Sequence, residues 1–164
     1  MVNSEASLPG TPATACVPRE LLESPVFLLG RLGYEVKMQV MDAFEASGFS
    51  AYCYGVLAML REGDRETQAT IADALKIDRG QLVGVLDELE EHGLIERRRD
   101  PNDRRRHLVS LTAAGKRQLA AYRKLAQRLE DEILAPLDEN ERAQLRDLLQ
   151  SVAGARDARY ALPA

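Results

Sequence analysis

Tryptophan is absent from this 164-residue chain, cysteine and histidine occur twice each, and aromatics make up only 5% of it. Cys16 and Cys53 share no paired-cysteine spacing and stand beside no histidine cluster, which excludes a disulfide framework and a zinc site. Long apolar runs are missing too, all far short of the ~20 residues that a membrane-spanning helix needs. No basic cluster followed by an apolar stretch marks the N-terminus as a secretory signal. A glycine-rich phosphate loop, a His–Glu zinc motif and a nucleophile elbow are likewise lacking. The carboxylate run Glu130-Asp131-Glu132 points its side chains around a helix in different directions, so it reads as a solvated face and not as a paired acid and base. These absences lead to the expectation of a cytoplasmic, non-enzymatic protein without metal, cofactor or membrane contact.

What is present fits a well-cored helical protein. Hydrophobic residues are 45% and charged residues 29%, with Leu, Ala, Glu and Arg prominent. The net charge of −4 is unevenly spread. From Gly93 to Arg117 eight basic residues face three acidic ones, a net of +5, which leaves the rest of the chain at −9. A basic island on an acidic body points to a local contact with a polyanion, since the body alone would repel nucleic acid.

Residues 1–24, with Pro9, Pro12 and Pro18 and no periodicity, read as a flexible tail. Val26, Leu29, Gly33, Val36, Val40 and Phe44 then recur at helical steps over about 20 residues, and Gly48 ends that helix. A second helix follows from Ser50 to Glu62, with Tyr54, Leu57 and Leu60 or Arg61 along one side. Thr67 suits an N-cap for a short helix burying Ile71, Ala72 and Leu75. After a turn at Lys76-Ile77, Asp78 with Gln81 forms a capping-box pattern for a helix burying Leu82, Val85, Leu86 and Leu89, and Gly93 stops it. Two short helices about a tight turn make a helix-turn-helix, although any helical hairpin shares much of this. Ile95–Arg99 and His107–Leu111 suit two strands about the turn signal Asp100-Pro101-Asn102-Asp103, so the arginine island lies on a hairpin. Thr112 caps a long helix with Leu119, Tyr122, Ala126, Leu129 and Ile133 on one side. Asp138 and Glu141 open a last helix carrying Leu145, Leu148, Leu149 and Val152. The fold class expected is mainly α, a winged helix-turn-helix with a two-stranded β-wing.

Over Val26 to Val152 the chain resembles the MarR family of transcriptional regulators. The likeness is sharpest through Gly93-Leu94-Ile95-Glu96-Arg97-Arg98, the Asp103 and Arg105 of the hairpin tip, and Leu111-Thr112-Ala113-Ala114-Gly115. It implies a homodimer whose first and last helices interlock, a wing arginine in the DNA minor groove, and an effector pocket where the first two helices meet the DNA-binding lobe. On this reading residues 25–153 form one domain: a lobe over about 50–117, dimerisation helices over 25–47 and 118–153, and a C-terminal tail over 154–164. Gly80, Gln81, Gly84 and Glu88 depart from the family's Ser/Thr and basic residues in the recognition helix.

The candidate DNA-binding residues are Arg79, Gly80, Gln81 and Gly84 at the helix N-terminus, with Arg104, Arg105 and Arg106 on the wing. Only the N-terminal turn of that helix can sit deep in a major groove, because Asp87, Glu88, Glu90 and Glu91 crowd its other half. Gln81 either completes the cap or reads bases. Asp103, a carboxylate where phosphates are expected, is assigned to orienting a neighbouring guanidinium. His92 suits the carbonyls at a helix end, and His107 either adds to the wing contact or simply starts a strand. Tyr34, Met38, Tyr52, Cys53 and Tyr54 are either core or the lining of a pocket for a small aromatic or phenolic effector. The expected partners are a pseudo-palindromic DNA duplex and a second copy of the chain. Two other functions fit the same fold: a winged-helix module for protein–protein contact, which needs no wing of six arginines, and a regulator sensing thiol oxidation.

Overall fold

The computed structural model describes residues 16–62, 66–100 and 107–160. The chain forms two units, the first ending at Lys37 and the second beginning at Met38.

In the first unit, α1 (Arg19–Leu22) is a single turn inside the stretch expected to be a tail. Its causes are local: Pro18 fixes φ at −55° before the turn, and Arg19 pairs with Glu23 at 2.6 Å across i,i+4. Helix α2 (Pro25–Ala46) starts at a proline, tolerated because an N–H there would lack an intrahelical partner anyway. The Ser24 hydroxyl accepts from the Phe27 N–H at 3.3 Å. The apolar stripe expected on this helix is exposed at its start, with Val26 at 80% and Leu29 at 50%.

The second unit contains the end of α2, then α3 (Ala51–Glu62), β1 (Glu66–Thr67), α4 (Gln68–Leu75), α5 (Arg79–Glu91), β2 (Ile95–Arg99), β3 (His107–Leu111), α6 (Ala113–Ile133) and α7 (Glu139–Arg156). Four helices start on the caps expected: Thr67, Asp78, Thr112 and Asp138 each accept the backbone N–H three residues on. Gly48 and Gly93 take positive φ (93° and 66°), where a side chain would be strained, and turn the chain after α2 and α5.

The core joins Phe44, Val56, Leu57, Leu60, Ile71, Leu82, Leu86, Leu89, Ile95, Val109, Leu119 and Tyr122, all buried. Each such aliphatic or aromatic side chain contributes roughly 1.5–3 kcal/mol on leaving water. On α3 the buried face is rotated from the one expected. Cys53 and Val56 join Leu57 and Leu60 inside, and Tyr54 is half-buried.

The strands form one antiparallel sheet in the order β1-β3-β2. Ile95 pairs with Leu111, Arg97 with Val109 and Arg99 with His107 in the wing. The third strand was not anticipated beside the two-stranded wing. Two residues, Glu66 and Thr67, are too short to show an alternation, and they pair with Val109 and Leu108 only because the fold brings them there. At the other end α7 continues to Arg156 and a 3-10 turn follows over Ala158–Tyr160, so ordered structure reaches into the stretch read as a C-terminal tail. Asp157 caps the turn locally by accepting the Arg159 N–H at 3.1 Å, and the turn is also anchored at a distance, since Arg159 donates to the Asp73 carbonyl at 3.0 Å and pairs with the Asp73 carboxylate.

Candidate nucleic-acid interface

Helices α4 and α5 meet at Lys76, whose φ of 53° makes the tight left-handed turn, and at Ile77, which is buried beneath it. The Asp78 carboxylate then accepts the Gln81 N–H at 2.8 Å and opens α5. The reciprocal half of the expected capping box, a bond from the Gln81 side chain, is not formed among the described residues. Gln81 is exposed, as are Arg79, Gly80 and Gly84. An added Cβ at Gly84 would meet nothing within 4 Å, and at Gly80 only the Asp78 carboxylate at 3.2 Å. The first two turns of α5 therefore present bare backbone, one amide, one guanidinium and the exposed Val83 side chain, with the positive end of the helix dipole behind them. Arg79 takes part in no ion pair among the described residues.

The wing begins directly after α5. Period-two alternation puts Ile95, Arg97 and Arg99 on one face of β2, and Glu96 and Arg98 on the other. Arg98 is paired with Glu96 at 2.9 Å, and Ser110 donates to the same Glu96 at 3.3 Å. Arg97 is only 22% exposed and turns onto α5, where it meets Asp87 at 2.7 Å and pairs with Glu90. Arg99, exposed at the strand's end, makes no ion pair among the described residues. Asp103, Arg104, Arg105 and Arg106 lie outside the described residues. Sequence reasoning missed the roles of Arg97 and Arg99. Counting alternate positions from the apolar Ile95 would have separated Arg97 from Arg98.

The base of the wing is locked to α6 through Thr112 and Gly115. The Thr112 hydroxyl donates to the Gly93 carbonyl at 2.7 Å and accepts the Gly115 N–H at 3.0 Å. Helix α6 passes so close to Leu94 that a Cβ at Gly115 would lie 2.0 Å from the Leu94 carbonyl oxygen. The run Leu111-Thr112-x-x-Gly115 is thus a packing device for the wing.

The residues expected around an effector have different surroundings. Cys53 is fully buried; its thiol lies 3.4 Å from the Ser50 hydroxyl and donates to Glu88 at 3.6 Å. Burial pushes that thiol's pKa up, assisted by the Glu88 charge. It is enclosed by the core cluster in this structure. Tyr54 stacks on Phe44 at 5.4 Å, and Tyr122 packs against both. The Tyr122 hydroxyl is buried without a well-formed hydrogen bond among the described residues, and desolvation raises its pKa strongly. Tyr52 packs on the core, Met38 is 42% exposed, and Tyr34 in the first unit is 65% exposed. His92 binds the Glu88 carbonyl at 2.8 Å, as expected at a helix end, and stands edge-on to Phe49 at 4.9 Å. A hollow of about 450 Å³ opens instead between α3, β3 and α6, lined by Leu60, Arg61, Ser110, Leu111, Lys116 and Leu119.

A helix-turn-helix followed directly by an arginine-bearing antiparallel hairpin, and set among longer helices, defines a winged-helix transcriptional regulator. A profile of the MarR family matches residues 53–107. A transcriptional regulatory protein assigned to the hcr operon of Thauera aromatica is 30% identical over 131 residues, covering 75% of this chain and 79% of that one. The chain belongs to the MarR family. Among solved structures, the transcriptional repressor CouR bound to a 23-mer DNA duplex superposes with a TM-score of 0.74 at 32% identity, over 85% of this chain and 99% of that one. CouR from Rhodococcus jostii RHA1 bound to p-coumaroyl-CoA gives 0.67 at 32% identity, covering 83% and 96%. The PcaV regulator of Streptomyces coelicolor with its natural ligand gives 0.67 at 28% identity, covering 88% and 100%.

Proposed function

We propose that this regulator binds double-stranded DNA sequence-specifically as a homodimer, and acts as a repressor released by a small aromatic or phenolic effector. The observation that carries the reading is the open N-terminal half of α5, where Arg79 flanks Gly80, Gln81 and Gly84, beside a wing strand ending in Arg99, both guanidiniums without an ion-pair partner among the described residues. Such a helix start enters a major groove, while Arg104, Arg105 and Arg106 reach the neighbouring minor groove and backbone. The DNA complex of CouR supports duplex binding, its p-coumaroyl-CoA complex supports an aromatic effector, and the complex of PcaV with its natural ligand supports a response to a small molecule. Arg61 and Lys116 over an apolar floor of Leu60, Leu111 and Leu119 suit a ring bearing a carboxylate. No helix among the described residues is long and apolar enough to cross a membrane.

Selection of a duplex from random DNA, followed by binding measurements at two salt concentrations, tests the reading. A selected pseudo-palindrome with half-sites ~34–36 Å apart, bound less tightly as salt rises and less tightly by Arg79→Ala, is the expected result. Failure to select any sequence would refute it in favour of a protein-contact module.

A further inference from the structure

We infer that Arg97 is the residue that positions the wing on the recognition helix, and that it does not itself contact DNA; the inference rests on the DNA-binding reading above. Arg97 lies opposite Val109 and on the same face of β2 as the buried Ile95. Its side chain therefore leaves the sheet on the core side, where it meets α5. There the guanidinium spans two carboxylates one helical turn apart. It contacts Asp87 at 2.7 Å and donates to Glu90 through Nε at 2.8 Å, and through a terminal nitrogen as well. Glu90 also accepts the backbone N–H of Arg97 at 3.2 Å, so one carboxylate holds both the main chain and the side chain of the same strand residue. The Arg97 side chain is 22% exposed, against 76% for Arg98. Forked, partly desolvated contacts of this kind fix geometry in a way that exposed ion pairs do not.

Two consequences follow for DNA recognition. The acidic half of α5, which would repel phosphates, has two of its carboxylates bound to an internal cation. The wing's first strand is also tied to the helix whose N-terminus carries Arg79, Gly80, Gln81 and Gly84, so helix and wing approach DNA as one preorganised unit. Without Arg97 that mutual orientation would have to be found again at each binding event, in both subunits.

The salt dependence of operator binding separates positioning from phosphate contact. Arg97→Ala and Arg97→Lys are both expected to weaken binding roughly tenfold or more, because lysine keeps the charge but loses the fork. The slope of log affinity against log salt should stay that of the wild type. The double variant Asp87→Asn, Glu90→Gln should also weaken binding, although it makes the face less negative. A direct phosphate contact would instead leave Arg97→Lys near wild type, lower the Arg97→Ala slope by about one per subunit, and tighten the carboxylate variant; any of these results overturns the inference. Active fractions from stoichiometric titration discount misfolded protein. Independently of DNA, a double-mutant cycle of Arg97→Ala and Glu90→Gln on denaturant stability should show coupling, and none would overturn the clamp even with operator binding intact. A wild type that binds no duplex while still showing coupling would overturn the underlying DNA reading alone.

Discussion

Two glycines show how a single atom has opposite effects at different places. At Gly115 a methyl would meet the Leu94 carbonyl oxygen at 2.0 Å, and neither backbone can yield without moving α6 or the wing. Gly115→Ala should destabilise the fold by about 3 kcal/mol, read from urea unfolding. At exposed Gly84 a methyl meets nothing, so Gly84→Ala should stabilise α5 by up to about 1 kcal/mol and raise the melting temperature. Weaker operator binding by that more stable variant would mark Gly84 as a point of close DNA approach; unchanged binding would remove it from the reading surface. Cys53 has a definite pH signature. Burial favours its protonated form, so the unfolded chain ionises first as pH rises. The contribution is complete below the ordinary thiol pKa of about 8.5 and declines above it. Unfolding measured between about pH 8.5 and 10 should show this decline in the wild type and not in Cys53→Ser. A sealed thiol should also leave operator binding insensitive to peroxide, and a sensitive wild type with an insensitive Cys53→Ser would restore the redox-sensing alternative. At the wing tip, Asp103→Ala should weaken binding if Asp103 orients the Arg105 guanidinium; tighter binding at two salt concentrations would reduce the wing to a charged patch.

Among the elements, the C-terminal turn joins a local contact to distant ones. Asp157 accepts from the Arg159 side chain at 2.7 and 2.9 Å and lies 3.5 Å from Lys76, the residue at the helix-turn-helix bend. Arg159 in turn holds Asp73 on α4. The end of α7 is thereby tied to the turn between α4 and α5. The Arg159 guanidinium holds the Asp157 carboxyl well below the usual carboxylate range. For a group lowered in this way, the tie is present above the ordinary carboxylate pKa of about 3.9 and is lost as pH falls through the folded value. Protection of the amides over residues 153–160, taken relative to the intrinsic exchange rate at each pH, should therefore fall in strong acid, and at neutral pH in Arg159→Ala. Equal exchange in both proteins would show the turn to be held by other means. Exposed pairs such as these are individually weak, so global stability should hardly change.

At the scale of the whole molecule, each unit leaves an apolar helical face uncovered. In the first, Val26 is 80% and Leu32 56% exposed; in the second, Leu148 is 67% and Val152 53% exposed. Uncovered stripes of this kind are unusual on a protein that stays monomeric. Sedimentation should give a dimer mass at micromolar concentration, and Leu148→Glu with Val152→Glu should shift it toward monomer together with a loss of operator affinity. A wild type that sediments as a monomer would refute the two-fold reading of its operator.

Local chemistry was legible in the amino-acid order. Thr67, Asp78, Thr112 and Asp138 could be read as caps because a cap needs only its own side chain and an N–H three residues away. The faces of α5 and α6 and the ends of β2 and β3 were readable for a similar reason, since period and turn residues are properties of neighbours in sequence. The tertiary structure alone decided the rest. Strand β1 exists only because β3 offers an edge to Glu66 and Thr67. Tyr54 packs onto the core because Phe44 and Tyr122 arrive from other helices to meet it, and Cys53 is enclosed with its thiol turned to Glu88 of α5. Arg97, one arginine among six by composition, became distinct when the pleat aimed it at Asp87 and Glu90. Spacing along one element fixes which face a side chain takes, whereas the partner waiting on that face comes from a distant part of the chain, and only folding brings the two together.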